Sequence, residues 1–165
     1  ELDRTLGRES EAVAIGLNSL AGAEQLSGDF DAAERDYREA LRIARAIDDH
    51  EGIAIYTGNL AALALDREDW PGAEALAREA LPLAEKVGRL ELIADDNQRL
   101  AKALVRQGKP EEALPYAQRA VEINQKLGSP NLATAEETLA ECEGGGASDG
   151  SPTTPPSAHE PSEPS

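Results

Sequence analysis

Three basic residues are the first candidates for binding chemistry in this chain. Arg99, Lys102 and Arg106 are spaced three and four residues apart, which places them on one face of a helix. The chain has a formal net charge of −16, so a local basic stripe is unusual in it. Because arginine forms bidentate pairs with carboxylates, the stripe could receive an acidic group of a ligand. Pairing within the chain, with Asp95, Asp96 or a neighbouring glutamate, is the alternative, and both interpretations stay open here.

Side chains suited to catalysis are few. His50 lies in the segment Asp48-Asp49-His50-Glu51, whose spacing matches no compact metal site and fits a helix-linking turn with capping acids. Cys142 is the single cysteine, and no histidine or basic residue is near it in the sequence. The sequence contains no glycine-rich phosphate loop. We therefore expect no enzyme activity, no metal and no cofactor.

The composition indicates a helical protein and argues against several classes of partner. Hydrophobic residues make up 40% of the chain and aromatic residues only 3%, so the apolar content is mostly alanine and leucine, which favour helices. The net charge argues against nucleic acid and anionic membranes as partners. No apolar run approaches the roughly 20 residues of a membrane span. We found no signal peptide and expect a cytoplasmic protein. The charged, helical-looking start suggests a piece of a longer chain.

Three stretches repeat with a period of 40 residues, beginning at Gly28, Glu68 and Gly108. Alanines and Leu-Ala pairs recur at equivalent positions of all three units: Ala33, Ala73 and Ala113; Ala40, Ala80 and Ala120; Leu20-Ala21, Leu60-Ala61 and Leu100-Ala101. A unit of this length with helix-like apolar spacing predicts two helices. The close spacing of small residues predicts helices that pack closely together.

The repeat also sets the predicted boundaries. Six paired helices are predicted at 10–27, 31–48, 51–66, 71–87, 90–107 and 111–127. A seventh helix, 130–142, follows the capping pair Ser129-Pro130. The predicted organisation is a lead-in at 1–9, an array at 10–143 with units at 10–48, 49–88 and 89–128, and a Gly/Ser/Pro tail at 144–165. The tail has too little apolar content to fold, and we expect it to be disordered.

This pattern resembles the tetratricopeptide repeat. Its features are a leucine and a small residue in the first helix, a glycine near the turn, an aromatic-x-x-Ala motif and a later Ala-Leu pair. Phe30 with Ala33 and Trp70 with Ala73 supply the aromatic motif, which favours this family over HEAT-like repeats of similar period. The period of 40 is similar to the long-helix variety of kinesin light chain and bacterial signalling ATPases. The resemblance implies an all-α, right-handed α-solenoid of three helix-turn-helix repeats plus a C-terminal capping helix, with Trp70 wedged in the core.

The resemblance further implies a concave groove, lined by the first helices, that holds a peptide or protein segment. By alignment, and with the basic stripe added, the implied groove residues are Asn18, Ser19, Gly22, Ile55, Asn59, Ala62, Asp95, Arg99, Lys102 and Arg106. Asn59 stands where peptide-binding members place an asparagine that pairs with the ligand backbone, because an amide both donates and accepts. Capping of local polar groups is the alternative for Asn59.

Two further features define the expected function. The clamp that some members use for a free C-terminal carboxylate is matched only at Asn59 and Arg99, because Ile15, Ser19 and Asp95 occupy its other positions. We therefore do not expect that ligand. The main hypothesis is a non-enzymatic protein-interaction module. The alternative is a C-terminal regulatory arm of a larger signalling protein, an ATPase-type regulator or a kinase, which would contact other domains of its parent chain.

Overall fold

The structure is a computed structural model that describes residues 2–145, with side chains described for residues 7–144. Most of the predicted tail, residues 146–165, lies outside the described residues. Seven helices and no strand make up the described chain: α1 (Leu2–Ser27), α2 (Phe30–Ala46), α3 (His50–Asp66), α4 (Trp70–Val87), α5 (Leu90–Arg106), α6 (Pro110–Leu127) and α7 (Leu132–Gly145). The all-α prediction is confirmed. Two bounds differ clearly, because α1 begins eight residues before the predicted 10 and α7 continues through Gly145.

The turns between helices recur every 20 residues, which is half of the 40-residue period. One residue with left-handed backbone occurs every 20 residues: Gly28, Asp48, Glu68, Gly88, Gly108 and Gly128. In three of these turns the next residue is an aspartate, Asp29, Asp49 or Asp69, whose carboxylate accepts a hydrogen bond of 3.0–3.2 Å from a backbone N–H of the following helix. This turn ends one helix and the aspartate caps the next. The helices between these turns, α2 to α6, are therefore of nearly equal length, 17 or 18 residues.

Alanine forms the contacts between helices. The six alanines that recur with the repeat, Ala33, Ala40, Ala73, Ala80, Ala113 and Ala120, are all completely buried. Leucines such as Leu63, Leu100 and Leu104 fill the remaining core. The predicted close packing over small side chains is confirmed. Trp70 is half-buried and belongs to none of the buried clusters, so its predicted wedge position is wrong. It is the first residue of α4, and its carbonyl oxygen accepts a hydrogen bond of 3.4 Å from Gln107 Nε2.

The odd-numbered and even-numbered helices form two different layers. Between successive units, the backbones of α1 and α3, α3 and α5, and α5 and α7 approach within 8 Å between Cα atoms. Within the described chain, the even-numbered helices have no such approach to one another. The odd-numbered helices are therefore the closer-spaced inner layer of a curved stack. The predicted right-handed sense of that curve stays a prediction.

Candidate binding face

The inner layer carries a pair of amides at the junction of α1 and α3. Asn59 Nδ2 donates a hydrogen bond of 2.7 Å to Asn18 Oδ1, and both side chains are half-buried. The bond uses one hydrogen-bonding group of each amide. Asn18 Nδ2 and Asn59 Oδ1 have no hydrogen-bond partner among the described residues, and neither is a buried atom. The pair thus presents one donor and one acceptor side by side.

The basic stripe is largely paired within the chain. Arg99 Nη1 donates a hydrogen bond of 2.8 Å to Asp96 Oδ1, and Arg106 forms an ion pair of 3.4 Å with Glu141. Lys102 is half-buried and has no ion pair in the described part of the chain. For Arg99 and Arg106 the intrachain alternative raised from the sequence is therefore the one observed.

The Asp96–Arg99 pair is buried against a glycine of the neighbouring helix. Asp96 is 1% exposed, and the Arg99 side chain is 19% exposed. A Cβ atom on Gly58 would lie 2.8 Å from both Asp96 Oδ1 and Arg99 Nη1, so the pair fits only because Gly58 has no side chain. Burial raises the pKa of Asp96 to about 6; the charge of Arg99 and its hydrogen bond oppose that rise, and the charge of Asp95 adds to it.

A polar cleft lies where α5, α6 and α7 meet. Its volume is about 250 Å³, and its lining residues are Asp95, Gln98, Arg99, Asn124, Asn131 and Thr134. An adjoining depression of about 330 Å³ shares Asp95, Asn124 and Asn131 and adds Glu91 and the turn after α6. The two spaces share part of their lining, and together we call them the α5–α7 cleft.

Hydrogen bonds across the α5–α7 cleft fix its walls. Gln98 Nε2 donates to Thr138 Oγ1 at 2.6 Å and to the Thr134 carbonyl oxygen at 3.1 Å. Asn131 Nδ2 donates to Asp95 Oδ1 at 3.3 Å. Gln98 Oε1 is buried and has no partner within the described region. The polar part of the cleft lining thus consists of amide, hydroxyl and carboxylate groups together with the Arg99 guanidinium.

Four of the predicted groove residues lie at two places on the inner layer. Asn18 and Asn59 meet at the α1–α3 junction, and Asp95 and Arg99 line the α5–α7 cleft. Ser19 is exposed, but its hydroxyl donates to the Ile15 carbonyl oxygen at 3.0 Å. Three others, Gly22, Ile55 and Ala62, are half-buried. Lys102 and Arg106 do not line the cleft.

Several residues of the cleft were missed as binding residues by the sequence analysis, among them Gln98, Asn124, Asn131 and Thr134, as well as Glu91. The run Asp95-Asp96-Asn97-Gln98 is a polar block within an otherwise Ala/Leu-rich first helix, and this was the available signal for Gln98. Asn124 is on a second helix, and nothing in the repeat pattern marks it. Asn131 and Thr134 belong to α7, where the repeat ends.

Two other kinds of site were considered among the described residues. Within residues 2–145, none of the helices combines the length and apolarity needed to cross a membrane. In that part of the chain, no three histidine, cysteine or acidic side chains are grouped as metal ligands. Cys142 is buried within the core.

Comparisons with known proteins agree with the fold. Two family models, both described as tetratricopeptide repeat, match residues 5–86 and 98–129, which together make up more than two thirds of the chain. A crystal structure of a TPR-like protein from Chlorobium tepidum TLS is similar over 83% of this chain and 98% of that one, with 20% sequence identity and a TM-score of 0.70. At this identity the likeness shows the fold alone. No curated protein matches the sequence.

Proposed function

Since the chain belongs to the tetratricopeptide repeat family, whose repeats generally mediate protein–protein interaction, we propose that it is a non-enzymatic module that holds an extended segment of a partner protein along its inner face. The kinesin-light-chain subtype suggested by the period is not part of this proposal. The proposal depends on two features of the inner layer, the Asn18–Asn59 amide pair and the α5–α7 cleft.

The amide pair is the observation that carries the proposal. A peptide bond offers one N–H donor and one carbonyl acceptor, and it needs one acceptor and one donor in return. Asn59 Oδ1 and Asn18 Nδ2 supply them from adjacent helices. Their mutual hydrogen bond of 2.7 Å holds both amides in place before the ligand arrives, so less side-chain entropy is lost on binding.

The α5–α7 cleft favours a basic side chain of the ligand. Arg99 is already paired with Asp96, so its charge is largely compensated. Asp95 and Glu91 supply carboxylates at the cleft surface, and the remaining polar lining includes amides and a hydroxyl. A lysine or arginine entering the cleft would find charge-assisted acceptors, whereas an acidic side chain would face Asp95 and Glu91. We therefore propose a basic side chain as the ligand of this cleft, and not the acidic group that the basic stripe suggested from the sequence.

The test is selection of peptides from a displayed random library, followed by calorimetry on the best binders. We expect Asn59→Ala to weaken binding by about tenfold or more, because a hydrogen bond to the ligand backbone is lost. Asp95→Ala should weaken selectively those peptides that contain lysine or arginine. Ser19→Ala is the matched control, because the Ser19 hydroxyl is used within its own helix.

Undiminished binding by both Asn59→Ala and Asp95→Ala would remove the inner-face assignment. The alternative function, a regulatory arm of a larger signalling protein, would act through the same binding chemistry and stays a prediction.

A further inference from the structure

Three amide side chains line the α5–α7 cleft: Gln98 of α5, Asn124 of α6, and Asn131 directly before α7. The NH2 group of each one is already used within the chain. The bonds run from Gln98 Nε2 to the Thr134 carbonyl oxygen at 3.1 Å, from Asn124 Nδ2 to the Ala120 carbonyl oxygen at 2.9 Å, and from Asn131 Nδ2 to Asp95 Oδ1 at 3.3 Å. Carbonyl and carboxylate oxygens can only accept, so these bonds fix which end of each amide faces the protein.

The end of each amide that is left for a ligand is therefore its oxygen. Gln98 Oε1 is buried and has no donor within the described region. Asn124 is only 2% exposed, and its Oδ1 also has no donor among the described residues, although that atom is not fully enclosed. A buried acceptor without a donor is costly, and it is rare in folded proteins. These oxygens point to a ligand that brings hydrogen-bond donors.

The charge of the cleft favours a donor that is a cation. Asp95 and Glu91 supply two carboxylates to the lining, whereas Arg99 supplies one guanidinium. Arg99 is already paired with Asp96 at 2.8 Å, so the carboxylates dominate. Two apolar side chains, Leu127 and Pro130, also line the cleft. They suit the methylene stem of a long basic side chain whose charged end lies among the oxygens.

We propose that the α5–α7 cleft is a primary-ammonium site, which binds the ε-ammonium of a partner lysine through its N–H groups. The proposal rests on the inner-face binding proposed above and names the side chain that this face selects. An ammonium carries three donors on one nitrogen, so it can bond to oxygens from different helices, whereas the donors of a guanidinium lie in one plane. Trimethylation of the lysine keeps its charge but removes every donor, and acetylation removes the charge. Either modification should release the partner from the cleft.

The test uses small cations in place of a peptide: butylammonium, butyltrimethylammonium and butylguanidinium. Each is titrated into the full chain at pH 7 and constant ionic strength, because the net charge of −16 attracts any cation. Binding is followed by the NMR shifts of the Gln98 and Asn124 side-chain amides. We expect saturable binding of butylammonium with a Kd of about 1–10 mM. Butyltrimethylammonium should bind at least about tenfold more weakly, and butylguanidinium at least about threefold more weakly.

Variants of the lining locate the site. Asn124→Leu removes an amide oxygen with little change of size and should weaken butylammonium binding by about tenfold. Asn97→Leu is the matched control: Asn97 is also buried and donates to the carbonyl oxygen four residues earlier, at 2.7 Å, but it does not line the cleft. It should bind butylammonium like the wild type. Asp95→Asn changes a half-buried residue, so it keeps the test valid if Asn124→Leu does not fold, and it should weaken binding by about fivefold.

Equal binding of butylammonium and butyltrimethylammonium would mean that charge alone attracts cations, and it would overturn the proposal. Absence of saturable butylammonium binding up to about 50 mM, equally tight binding of butylguanidinium, or unchanged binding by Asp95→Asn and a folded Asn124→Leu would overturn it as well. Failure here is distinguishable from failure of the proposed function. The small cations need no peptide, and the effect of Asn59→Ala on selected peptides does not involve the cleft.

Discussion

Gly58 of α3 lies against Asp96 of α5 so closely that a Cβ atom on the glycine would be 2.8 Å from the Asp96 carboxylate. The same Cβ would be 2.8 Å from Arg99 Nη1, which is bonded to that carboxylate. The absence of a side chain at Gly58 therefore lets α3 approach α5 closely. It also leaves room at this contact for the Asp96–Arg99 ion pair, both of whose residues belong to α5. This relationship connects the packing of the array with the electrostatics of its inner face.

Substitution Gly58→Ala should destabilise the fold. Alanine is the better helix former by about 1 kcal/mol, yet its methyl group would displace Asp96 and Arg99 from a buried arrangement. Overpacking of this kind costs about 1–3 kcal/mol, so we expect a net loss measured by urea unfolding. Gly7→Ala is the control, since a Cβ there has no neighbour within 4 Å in the described residues. Equal or greater stability of Gly58→Ala would contradict the close approach.

The raised pKa of Asp96 predicts a pH dependence of stability. Burial raises that pKa from 3.8 to about 6, so between these values the folded state binds more protons than the unfolded state. The free energy of unfolding should then fall as pH rises from about 4 to 7, by up to about 3 kcal/mol from this group. Asp96→Asn removes the effect. As pH rises across this range, the free energy of unfolding of the variant, measured by urea titration, should therefore increase relative to that of the wild type.

A second variant tests the cause of that dependence. Removing the opposing charge by Arg99→Met should raise the pKa of Asp96 further, so the fall in stability should move to higher pH. A stability difference between Asp96→Asn and wild type that is flat from pH 4 to 7 would show that Asp96 does not titrate in this way.

The 40-residue period allowed the helices to be predicted because the signals recur. Alanines at equivalent positions, such as Ala33 and Ala73, are completely buried, and the first three turns repeat the same aspartate cap. The early start of α1 was missed because the repeat begins only at residue 10. Trp70 was misplaced because its match to the aromatic motif does not determine how deeply the first residue of α4, directly after the α3–α4 turn, is buried.

The binding face was predicted less completely, for geometric reasons. Asn18 and Asn59 are 41 residues apart, one off the repeat period, so their contact depends on how α1 and α3 are rotated against each other. The α5–α7 cleft depends on a break in the repeat, because α7 begins at Leu132, 42 residues after the start of α5. Burial of the Asp96–Arg99 pair depends on Gly58, which no pattern on α5 reveals.

Glu74 is predicted to be a pH-dependent link between units. Its carboxylate accepts hydrogen bonds from Gln107 at 2.8 Å, Lys109 at 3.0 Å and Arg78 at 3.0 Å. Burial alone would raise its pKa, but these bonds outweigh burial and lower the pKa to about 2. The stabilisation is therefore complete above about pH 4.5 and is lost as pH falls towards 2. After allowance for solvent screening, we expect Glu74→Gln to cost on the order of 1 kcal/mol at pH 7.

The measurement is the free energy of unfolding of Glu74→Gln and wild type at pH 7 and at pH 2.5, where the difference should largely disappear. Glu79→Gln is the comparison, because Glu79 forms an exposed ion pair with Arg45 at 3.2 Å. Exposed pairs of this kind contribute little, so its effect at pH 7 should be the smaller. An effect of Glu74→Gln that is the same at both pH values would contradict the assignment.

Cys142 offers a direct readout of how α7 opens. The thiol is buried in a cluster with Leu100, Leu104 and Ala117, and burial raises its pKa, with the nearby charges of Glu141 and Glu143 adding to the rise. Alkylation needs the exposed thiolate, so iodoacetamide at pH 8 should react at least about 100-fold more slowly than in the urea-unfolded chain. Leu139→Ala, which removes an α7 side chain packed on this cluster, should speed the reaction.

Ala140→Cys in a Cys142→Ala background places the thiol on the exposed side of α7 and should react at nearly the unfolded rate. Rapid alkylation of Cys142 in the wild type would mean that α7 does not stay docked as the closing helix of the array.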